Sequence, residues 1–197
     1  MKKMISFCTV ILCSILPMVK ELPIGSSIPN ADVKMKDVSG RDVSFNDAKG
    51  KNGLLVMFSC NTCPVVMRNQ ERTKEICKLA REKNIGVILL NSNEGSRDEG
   101  DSFDDMISYG NEQGYDWFYA LDKNSVMADA FGAMRTPENF LFDKNLKLVY
   151  HGAIDDNPGN PGDVIHKYLA EAMGQMITGK EIVIKTSRSI GCGIKRL

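Results

Sequence analysis

The sequence has no excess of charge of either sign. Its 25 basic residues are balanced by 25 acidic ones, which gives a formal net charge of zero at pH 7. A protein without a global positive field has no general attraction for nucleic acid or for an anionic membrane surface. We therefore expect no nucleic acid among its partners. The acidic run Glu94–Asp105 is interpreted as a solvated segment ahead of a helix, where carboxylates favour the positive end of the helix dipole.

Long hydrophobic runs are also absent, apart from one at the N-terminus. Two lysines precede an apolar stretch over residues 4–19. As a helix this stretch would cover about 24 Å, which is short of the roughly 30 Å hydrocarbon core of a bilayer. A secretory signal over residues 1–20 is the favoured interpretation, and it predicts an exported, periplasmic or otherwise extracytoplasmic protein. Because residues 17–20 offer no small-x-small cleavage site, an uncleaved anchor that tethers the protein through residues 4–19 is the alternative.

Histidine is scarce, and this limits metal chemistry. The chain has one CxxC pair, Cys60 and Cys63, and its two histidines, His151 and His166, are far apart in sequence. A zinc site takes four ligands as a rule, and no second CxxC or histidine pair supplies them. We expect no metal and no other cofactor. A metal- or copper-binding, chaperone-like module that uses Cys60, Cys63 and a histidine is the alternative from outside the enzyme class.

Six cysteines are present, and four of them lie beyond residue 20: Cys60, Cys63, Cys77 and Cys192. Outside the cytosol a thiol meets an oxidising environment, so a cysteine that persists there usually has a role or a partner. Cys77 falls on the edge of the apolar stripe of a predicted helix and is interpreted as a small buried hydrophobic residue.

The hydrophobic pattern predicts strands that alternate with helices. A hairpin around Ser39-Gly40 is predicted at the edge of the domain. Further strands are predicted at 54–58, 87–90, 117–121, 139–142 and 146–151, and helices at 63–83, 102–113, 125–131 and 163–176. This alternation predicts an α/β domain with a mixed sheet and helices on both faces. We place the domain at 21–178 and a C-terminal extension at 179–197.

The CxxC pair lies where a buried strand gives way to a helix. Cα atoms in this arrangement are about 5–6 Å apart, so a disulfide can close without backbone movement. A structural disulfide between Cys60 and Cys63 would close a very short loop and constrain little of the unfolded chain. A reversible redox pair is the favoured hypothesis. Free helix N–H groups predict a low-pKa, attacking Cys60, and Cys63 is expected to resolve the mixed disulfide from a buried position.

The strand-CxxC-helix arrangement, followed later by Thr136-Pro137 before a strand, resembles the thioredoxin fold. More narrowly, the segments CNTCP, TPENFLFD, YHGAIDDNP and SIGCGIKR resemble the peroxiredoxin-like branch of the redoxin (AhpC/TSA-related) superfamily, over residues 25–195. The resemblance implies a three-layer thioredoxin-like fold with catalytic Cys60 and Cys63. It further implies a cis peptide bond at Pro137, with Thr136 facing the redox pair and pairing its backbone with substrate. The function it implies is that of a thiol-disulfide oxidoreductase, expected to be monomeric, that acts on dithiols and disulfides of protein partners.

Departures from the family pattern leave alternatives open. Ser59 and Asn61-Thr62 stand where thioredoxin has Trp and Gly-Pro, so redox potential and direction do not carry over. Neither cysteine is preceded by the Pro and Thr that shape a peroxiredoxin pocket, which makes an antioxidant, thiol-dependent peroxidase the alternative enzyme. Thioredoxin's buried acid corresponds to Leu54, so Glu138 is predicted to accept the proton of Cys63.

Cys192 lies near the C-terminus between two glycines, and the hydrophobic pattern there does not predict that its thiol packs in the core. One hypothesis is a third redox thiol, either near Cys60 and Cys63 or paired with Cys77. A structural cysteine without redox chemistry is the alternative.

Overall fold

The computed structural model describes residues 20–197, in which a seven-stranded sheet forms the centre of the molecule. Its strand order is β2-β1-β5-β4-β3-β7-β8, and β6 and β9 form a separate two-stranded sheet. The strands are β1 (Met35–Asp37), β2 (Asp42–Val43), β3 (Gly53–Ser59), β4 (Ile85–Asn91), β5 (Phe118–Leu121), β6 (Arg135–Thr136), β7 (Glu138–Asp143), β8 (Leu148–Gly152) and β9 (Cys192–Gly193). The predicted hairpin is β1 and β2, and β2 is the edge strand.

The sheet is mixed. Strands β3, β4 and β5 run parallel, whereas β1, β7 and β8 pair antiparallel with their neighbours. All seven residues of β3 are buried, as expected for a continuously apolar central strand that is covered on both faces.

Helices cover both faces of the sheet. They are α1 (Phe45–Ala48), α2 (Pro64–Arg68), α3 (Gln70–Glu82), α4 (Phe103–Gln113), α5 (Val126–Phe131) and α6 (Tyr168–Ile177), with three short 3-10 segments between them. One core cluster joins Phe45 and Phe131 to Phe58 of β3, and a second joins Ile76 and Leu169 to the opposite face. The expected α/β class, with a mixed sheet between helical layers, is confirmed.

The helix expected at 63–83 is two helices, which meet at Asn69. The Asn69 side chain donates a hydrogen bond to the Val65 carbonyl at 2.7 Å and thereby competes with the regular helix. Arg72, which interrupts the apolar stripe, is partly buried and forms an ion pair at 2.8 Å with the buried Asp155. Asn69 and Arg72, which interrupt the apolar stripe, therefore each have a polar partner.

The last helix begins at Tyr168, later than the expected residue 163. The backbone N–H groups of Ile165 and His166 donate to the Asp156 carboxylate at 3.0 and 3.1 Å. Because these groups are satisfied by a side chain, the segment before Tyr168 stays irregular.

The chain beyond α6 returns to the sheet. His151 of β8 donates its backbone N–H to the Lys185 carbonyl at 3.0 Å, and Ser187 donates to the His151 carbonyl at 3.1 Å. Within residues 20–197 no helix combines the length and the apolar character needed to cross a membrane. The signal or anchor expected at 1–20 lies, but for its last residue, outside the described residues.

Candidate active site

The two CxxC cysteines lie where β3 ends and α2 begins. Cys60 follows the last residue of β3, and Cys63 is the N-cap residue of α2, with Pro64 in the first turn. Both side chains are buried, with exposed fractions of 0% for Cys60 and 3% for Cys63. The helix therefore begins directly after Cys63.

Thr136 and Pro137 lie against this pair, as expected. The Cys60 Sγ atom is 3.3 Å from the Thr136 hydroxyl, and the Cys63 Sγ atom is 3.3 Å from the Thr136 carbonyl oxygen. The Thr136-Pro137 peptide bond is cis. The structure thus brings together the four residues predicted to be catalytic.

Cys192 is the third thiol of the site. Its Sγ atom is 2.7 Å from that of Cys63, and its backbone is paired with Thr136 through the β6 and β9 strands. The fully buried Cys77 belongs to the core cluster under α3, whereas Cys192 packs with Cys60 and Cys63. Cys192 was expected either near Cys60 and Cys63 or paired with Cys77. The structure places it beside the CxxC pair, so the expected pairing with Cys77 is wrong.

The thiols of Cys60 and Cys63 have opposite acidities. The pKa of Cys63 is lowered to about 4, first by the hydrogen bond from the Cys60 thiol, then by the Cys192 thiol and by the backbone N–H groups of Val66 and Cys192. The pKa of Cys60 is raised, because its proton is shared with the Cys63 sulfur and because burial penalises a second thiolate. The two thiols share one proton, and the Cys63 thiol also lies 3.3 Å from the Thr136 carbonyl oxygen, to which it can donate. These opposite shifts therefore do not assign the attacking sulfur, and attack by Cys60 stays a prediction.

The turn between the cysteines is fixed by a buried carboxylate, that of Asp101, which is 0% exposed. One of its oxygens accepts hydrogen bonds from the Asn61 backbone N–H and the Asn91 side chain, both at 2.8 Å. The other accepts from the Thr62 hydroxyl at 2.8 Å and the Asn93 side chain at 2.9 Å. We call Asp101 and its four donors the Asp101 cradle. It locks the dipeptide Asn61-Thr62 and so sets the separation of the two sulfur atoms.

Sequence reasoning missed Asp101, because it stands within a run of acids interpreted as solvated. A usable signal was the polar run Asn91-Ser92-Asn93 at the carboxyl end of β4, which neighbours β3 in the sheet. Ligand and catalytic groups in open α/β sheets collect at this end of the strands.

Glu138, the predicted proton acceptor for Cys63, forms its hydrogen bonds with the backbone. One of its oxygens accepts hydrogen bonds from the backbone N–H groups of Met134 and Arg135, at 2.9 and 3.2 Å. Burial raises the pKa of Glu138. No hydrogen bond joins Glu138 to a cysteine in the described part of the chain, so its contact is with the backbone beside β6. The acid close to the thiols is Asp101, whose charge contributes to the raised pKa of Cys60.

Potential metal ligands gather away from the thiols. Among residues 20–197, the one group of three ligand atoms that lie within 4.8 Å of one another belongs to Glu21, Glu138 and His151. Carboxylate and imidazole groups are ligands that divalent cations accept. No histidine joins Cys60 and Cys63 in such a group, so the described residues do not form the metal-binding set considered above.

Comparison with known proteins agrees with this geometry. The family model described as Redoxin matches residues 23–166, and the chain belongs to the Redoxin family. A crystal structure of an uncharacterized conserved protein from Geobacillus kaustophilus is 30% identical, with a TM-score of 0.82 over 89% of this chain and 93% of that one. The thioredoxin domain of a thiol-disulfide oxidoreductase from Bacteroides vulgatus is 23% identical, with a TM-score of 0.55 over 68% of this chain and 90% of that one.

A curated relative carries a functional name. Thiol-disulfide oxidoreductase ResA from Bacillus anthracis is 27% identical over 130 residues, which span 66% of this chain and 69% of the relative. The expected family, the thioredoxin-like fold and the enzyme class of thiol-disulfide oxidoreductase are confirmed.

Proposed function

We propose that the protein is an exported enzyme that exchanges dithiols and disulfides with protein partners through Cys60 and Cys63. The observation that carries the proposal is the pair of buried thiols that both contact Thr136, next to its cis peptide bond with Pro137. The Cys60 Sγ atom is 3.3 Å from the Thr136 hydroxyl, and the Cys63 Sγ atom is 3.3 Å from the Thr136 carbonyl oxygen. A thiolate is the nucleophile in disulfide exchange, and a thiol of low pKa is also a good leaving group.

The roles proposed for the two cysteines are those expected from the sequence. Cys60, as the thiolate, attacks a disulfide, forms a mixed disulfide and displaces one thiolate. Cys63 then loses its proton and attacks the Cys60 sulfur, which releases the second thiolate and leaves a Cys60-Cys63 disulfide. Two electrons have passed from the enzyme to the disulfide, and the same steps in reverse oxidise a dithiol. Thr136, in contact with both sulfur atoms, keeps them in line.

Single-site variants test whether the CxxC pair carries the activity. Cys63→Ser is expected to reduce insulin disulfides no faster than the buffer does. Cys77→Ala is the matched control, because Cys77 is a core thiol outside the site, and it should keep the wild-type rate. The wild-type rate in Cys63→Ser would refute the proposal.

Partner capture identifies the substrate class. In the variant Cys63→Ser the resolving thiol is absent, so a mixed disulfide between Cys60 and a partner persists. Expressed in the native host, this variant should accumulate protein adducts that dithiothreitol releases, and adding Cys60→Ser should remove them. Capture of low-molecular-weight thiols alone would contradict protein partners.

Export is supported by the charged and apolar pattern of residues 1–20. Cell fractionation, with mass measurement of the purified protein, tests it and separates a cleaved signal from an anchor. A protein found only in the cytosol would overturn the location and leave the thiol chemistry intact. The enzyme is proposed to act as a monomer, which size-exclusion chromatography with light scattering would check.

A thiol peroxidase is the second candidate, and one observation favours it. A low-pKa thiolate beside a resolving thiol is the arrangement of peroxide-reactive cysteines, and the Cys63 and Cys192 sulfur atoms are 2.7 Å apart. The Cys63 thiolate would take one oxygen from a peroxide and release an alcohol or water. Cys192 would then condense with the sulfenic acid and release water. Consumption of hydrogen peroxide with dithiothreitol as reductant, at rates comparable to insulin reduction, would favour this reading.

A further inference from the structure

The C-terminal tail, which we define as residues 189–197, is docked into the active site along its backbone. Strand β9 pairs with β6, so that Cys192 is opposite Thr136. The next residue but one, Ile194, donates its backbone N–H to the Met134 carbonyl at 3.0 Å and is only 8% exposed. Ile194 therefore anchors the tail in the core.

The tail is also bound to the loop that holds the Asp101 cradle. Lys195 donates its backbone N–H to the Asn93 side-chain oxygen at 3.0 Å, and its carbonyl accepts from Gly95 at 2.7 Å. Arg196 reaches Asp129 at 2.7 Å and the Ala133 carbonyl at 2.6 Å. These contacts fix the position of Cys192 from its C-terminal side.

Gly191 fixes the position of Cys192 from the other side. A Cβ atom added to Gly191 would lie 2.0 Å from the Thr136 carbonyl oxygen, so only glycine allows the tail to approach this closely. A Cβ atom added to Gly193 would meet nothing within 4 Å. The two glycines that flank Cys192 thus differ, and only the first is required by packing.

The docked tail decides how a partner reaches the thiols. Cys60 and Cys63 are buried, and β6 is already paired with β9. A partner chain cannot pair its backbone with Thr136 on that edge while the tail is in place, although the family resemblance implies that Thr136 does so. Cys192 is the most exposed of the three thiols, and its sulfur is in contact with that of Cys63.

We propose that Cys192 connects the buried CxxC pair to its protein partners, by forming a disulfide with Cys63 that partner thiols open at the Cys192 sulfur. This inference rests on the proposed function, and it specifies which sulfur the partner meets. The tail thus supplies, from within the same chain, the first thiol that exchanges with Cys63.

Oxidation of a partner dithiol begins with the protein that carries the Cys60-Cys63 disulfide. The Cys192 thiol loses its proton and attacks Cys63 in the Cys60-Cys63 disulfide. A Cys63-Cys192 bond forms, the Cys60-Cys63 bond breaks, and Cys60 takes up a proton. A partner thiolate attacks the Cys192 sulfur and displaces Cys63 as a thiolate. The second partner thiolate attacks the mixed disulfide, which releases the oxidised partner and restores the Cys192 thiol.

Acidity and access both favour attack at Cys192 in that disulfide. The thiol of lower pKa leaves faster, and the pKa of Cys63 is lowered whereas burial raises that of Cys192. Cys63 is therefore the leaving group, and Cys192 is the sulfur that binds the partner. Cys60, with its raised pKa, holds the proton while Cys63 is exchanged.

Peptide mapping of the oxidised protein tests the inference. Trypsin places Cys60 and Cys63 in the peptide 52–68 and Cys192 in the peptide 189–195. After oxidation of Cys60→Ser with diamide and digestion without reductant, we expect these two peptides to be linked through Cys63 and Cys192. The link should be absent in Cys63→Ser and unaffected in Cys77→Ala.

The two glycines provide a matched pair of variants. In the Cys60→Ser background, Gly191→Ala should remove the linked peptide and Gly193→Ala should retain it. In the wild-type background, both glycine variants should still form the Cys60-Cys63 disulfide, which shows that the domain is folded. Oxidation of a reduced test protein by the Gly191→Ala variant should then fall to the level of Cys192→Ser.

The outcomes separate the two proposals. A Cys60-Cys63 disulfide that forms and turns over at the wild-type rate in Cys192→Ser, with no link to peptide 189–195, would overturn the role of Cys192 alone. Absence of any disulfide within peptide 52–68, together with no turnover in the wild type, would overturn the proposed function itself. Linked peptides in Cys60→Ser, with slowed protein oxidation in Cys192→Ser, support both.

Discussion

The CxxC turn is held from two sides by regions of very different character. The Asp101 cradle lies inside the domain and holds Asn61 and Thr62 through hydrogen bonds to one buried carboxylate. The C-terminal tail lies on the other side and brings a thiol, Cys192, to the Cys63 sulfur. The cradle contributes geometry and no reactive group, whereas the tail contributes a reactive group.

This difference indicates which part of the site is fixed and which can change partners. A buried carboxylate with four donors cannot leave without exposing unpaired groups, each of which costs about 1–3 kcal/mol. The tail is at the end of the chain, and its pairing with β6 involves two residues on each strand. Its release would leave the seven-stranded sheet intact. Asn93 of the cradle also links the two regions, because its side chain donates to Asp101 and accepts from the Lys195 backbone N–H.

The largest expected effect comes from breaking the cradle. Asp101→Ala leaves the donors of Asn61, Thr62, Asn91 and Asn93 without their acceptor, and we expect the free energy of unfolding to fall by about 3–5 kcal/mol. Asp98→Asn, at an exposed acid of the preceding 3-10 segment, is the control and should change it by less than about 0.5 kcal/mol. Urea denaturation of the reduced proteins measures both. Equal stability of the two variants would show that the cradle does not hold the turn.

The next effect comes from removing the apolar anchor of the tail. Ile194→Ala deletes most of a side chain that packs in the core cluster, which costs about 2–4 kcal/mol at sites of this kind. We expect this cost to appear as release of the tail. Hydrogen exchange in peptide 189–195 should become faster, while exchange in β3 and β4 stays slow. Uniformly faster exchange throughout the sheet would contradict a separable tail.

The third effect concerns the charge on Cys63. Cys60→Ala removes the strongest donor to the Cys63 sulfur, and a hydrogen bond to a charged group contributes about 1.5–3 kcal/mol, or roughly 1–2 pKa units. The pKa of Cys63 should therefore rise from about 4, and Cys60→Ser, whose hydroxyl still donates, should restore part of the shift. Thiolate absorbance at 240 nm, corrected with Cys63→Ser, measures this. A pKa of about 4 in Cys60→Ala would show that the Cys192 thiol and the backbone N–H groups of Val66 and Cys192 are sufficient to stabilise the thiolate.

The same lowered pKa predicts a pH dependence of stability. Between about pH 4 and the pKa near 8.5 of an unfolded thiol, the folded protein holds Cys63 as a thiolate and the unfolded chain holds it protonated. The contribution of Cys63 to stability is thus full above the unfolded pKa and is lost as the pH falls through 4. The difference in stability between the wild type and Cys63→Ser should shrink over that range, and a constant difference would contradict the lowered pKa.

Sequence patterns were sufficient for the sheet and for the CxxC pair, because these features depend on local periodicity and on one motif. The position of Thr136-Pro137 beside the pair was implied by the resemblance to the thioredoxin fold. The acidities of the two thiols were not predictable in this way, because they depend on the contact of the thiols with each other and on the distant Thr136 and Cys192. Asp101 and Cys192 contact the turn across 40 and 129 positions in the sequence. Such contacts depend on how a loop and a tail fold back, which no periodicity encodes.

The smallest expected effect separates charge from apolar burial in holding the tail. Arg196 and Asp129 form an ion pair at 2.7 Å, but the Asp129 side chain is 57% exposed, and exposed pairs contribute only about 0.2–1 kcal/mol. Asp129→Asn should therefore raise hydrogen exchange in peptide 189–195 far less than Ile194→Ala does. In 1 M salt, where the screening length falls to about 3 Å, the small difference from the wild type should vanish, whereas the effect of Ile194→Ala should persist. If Asp129→Asn released the tail as fully as Ile194→Ala, the docking of Cys192 would depend on charge, and ionic strength would govern the access of partners to the site.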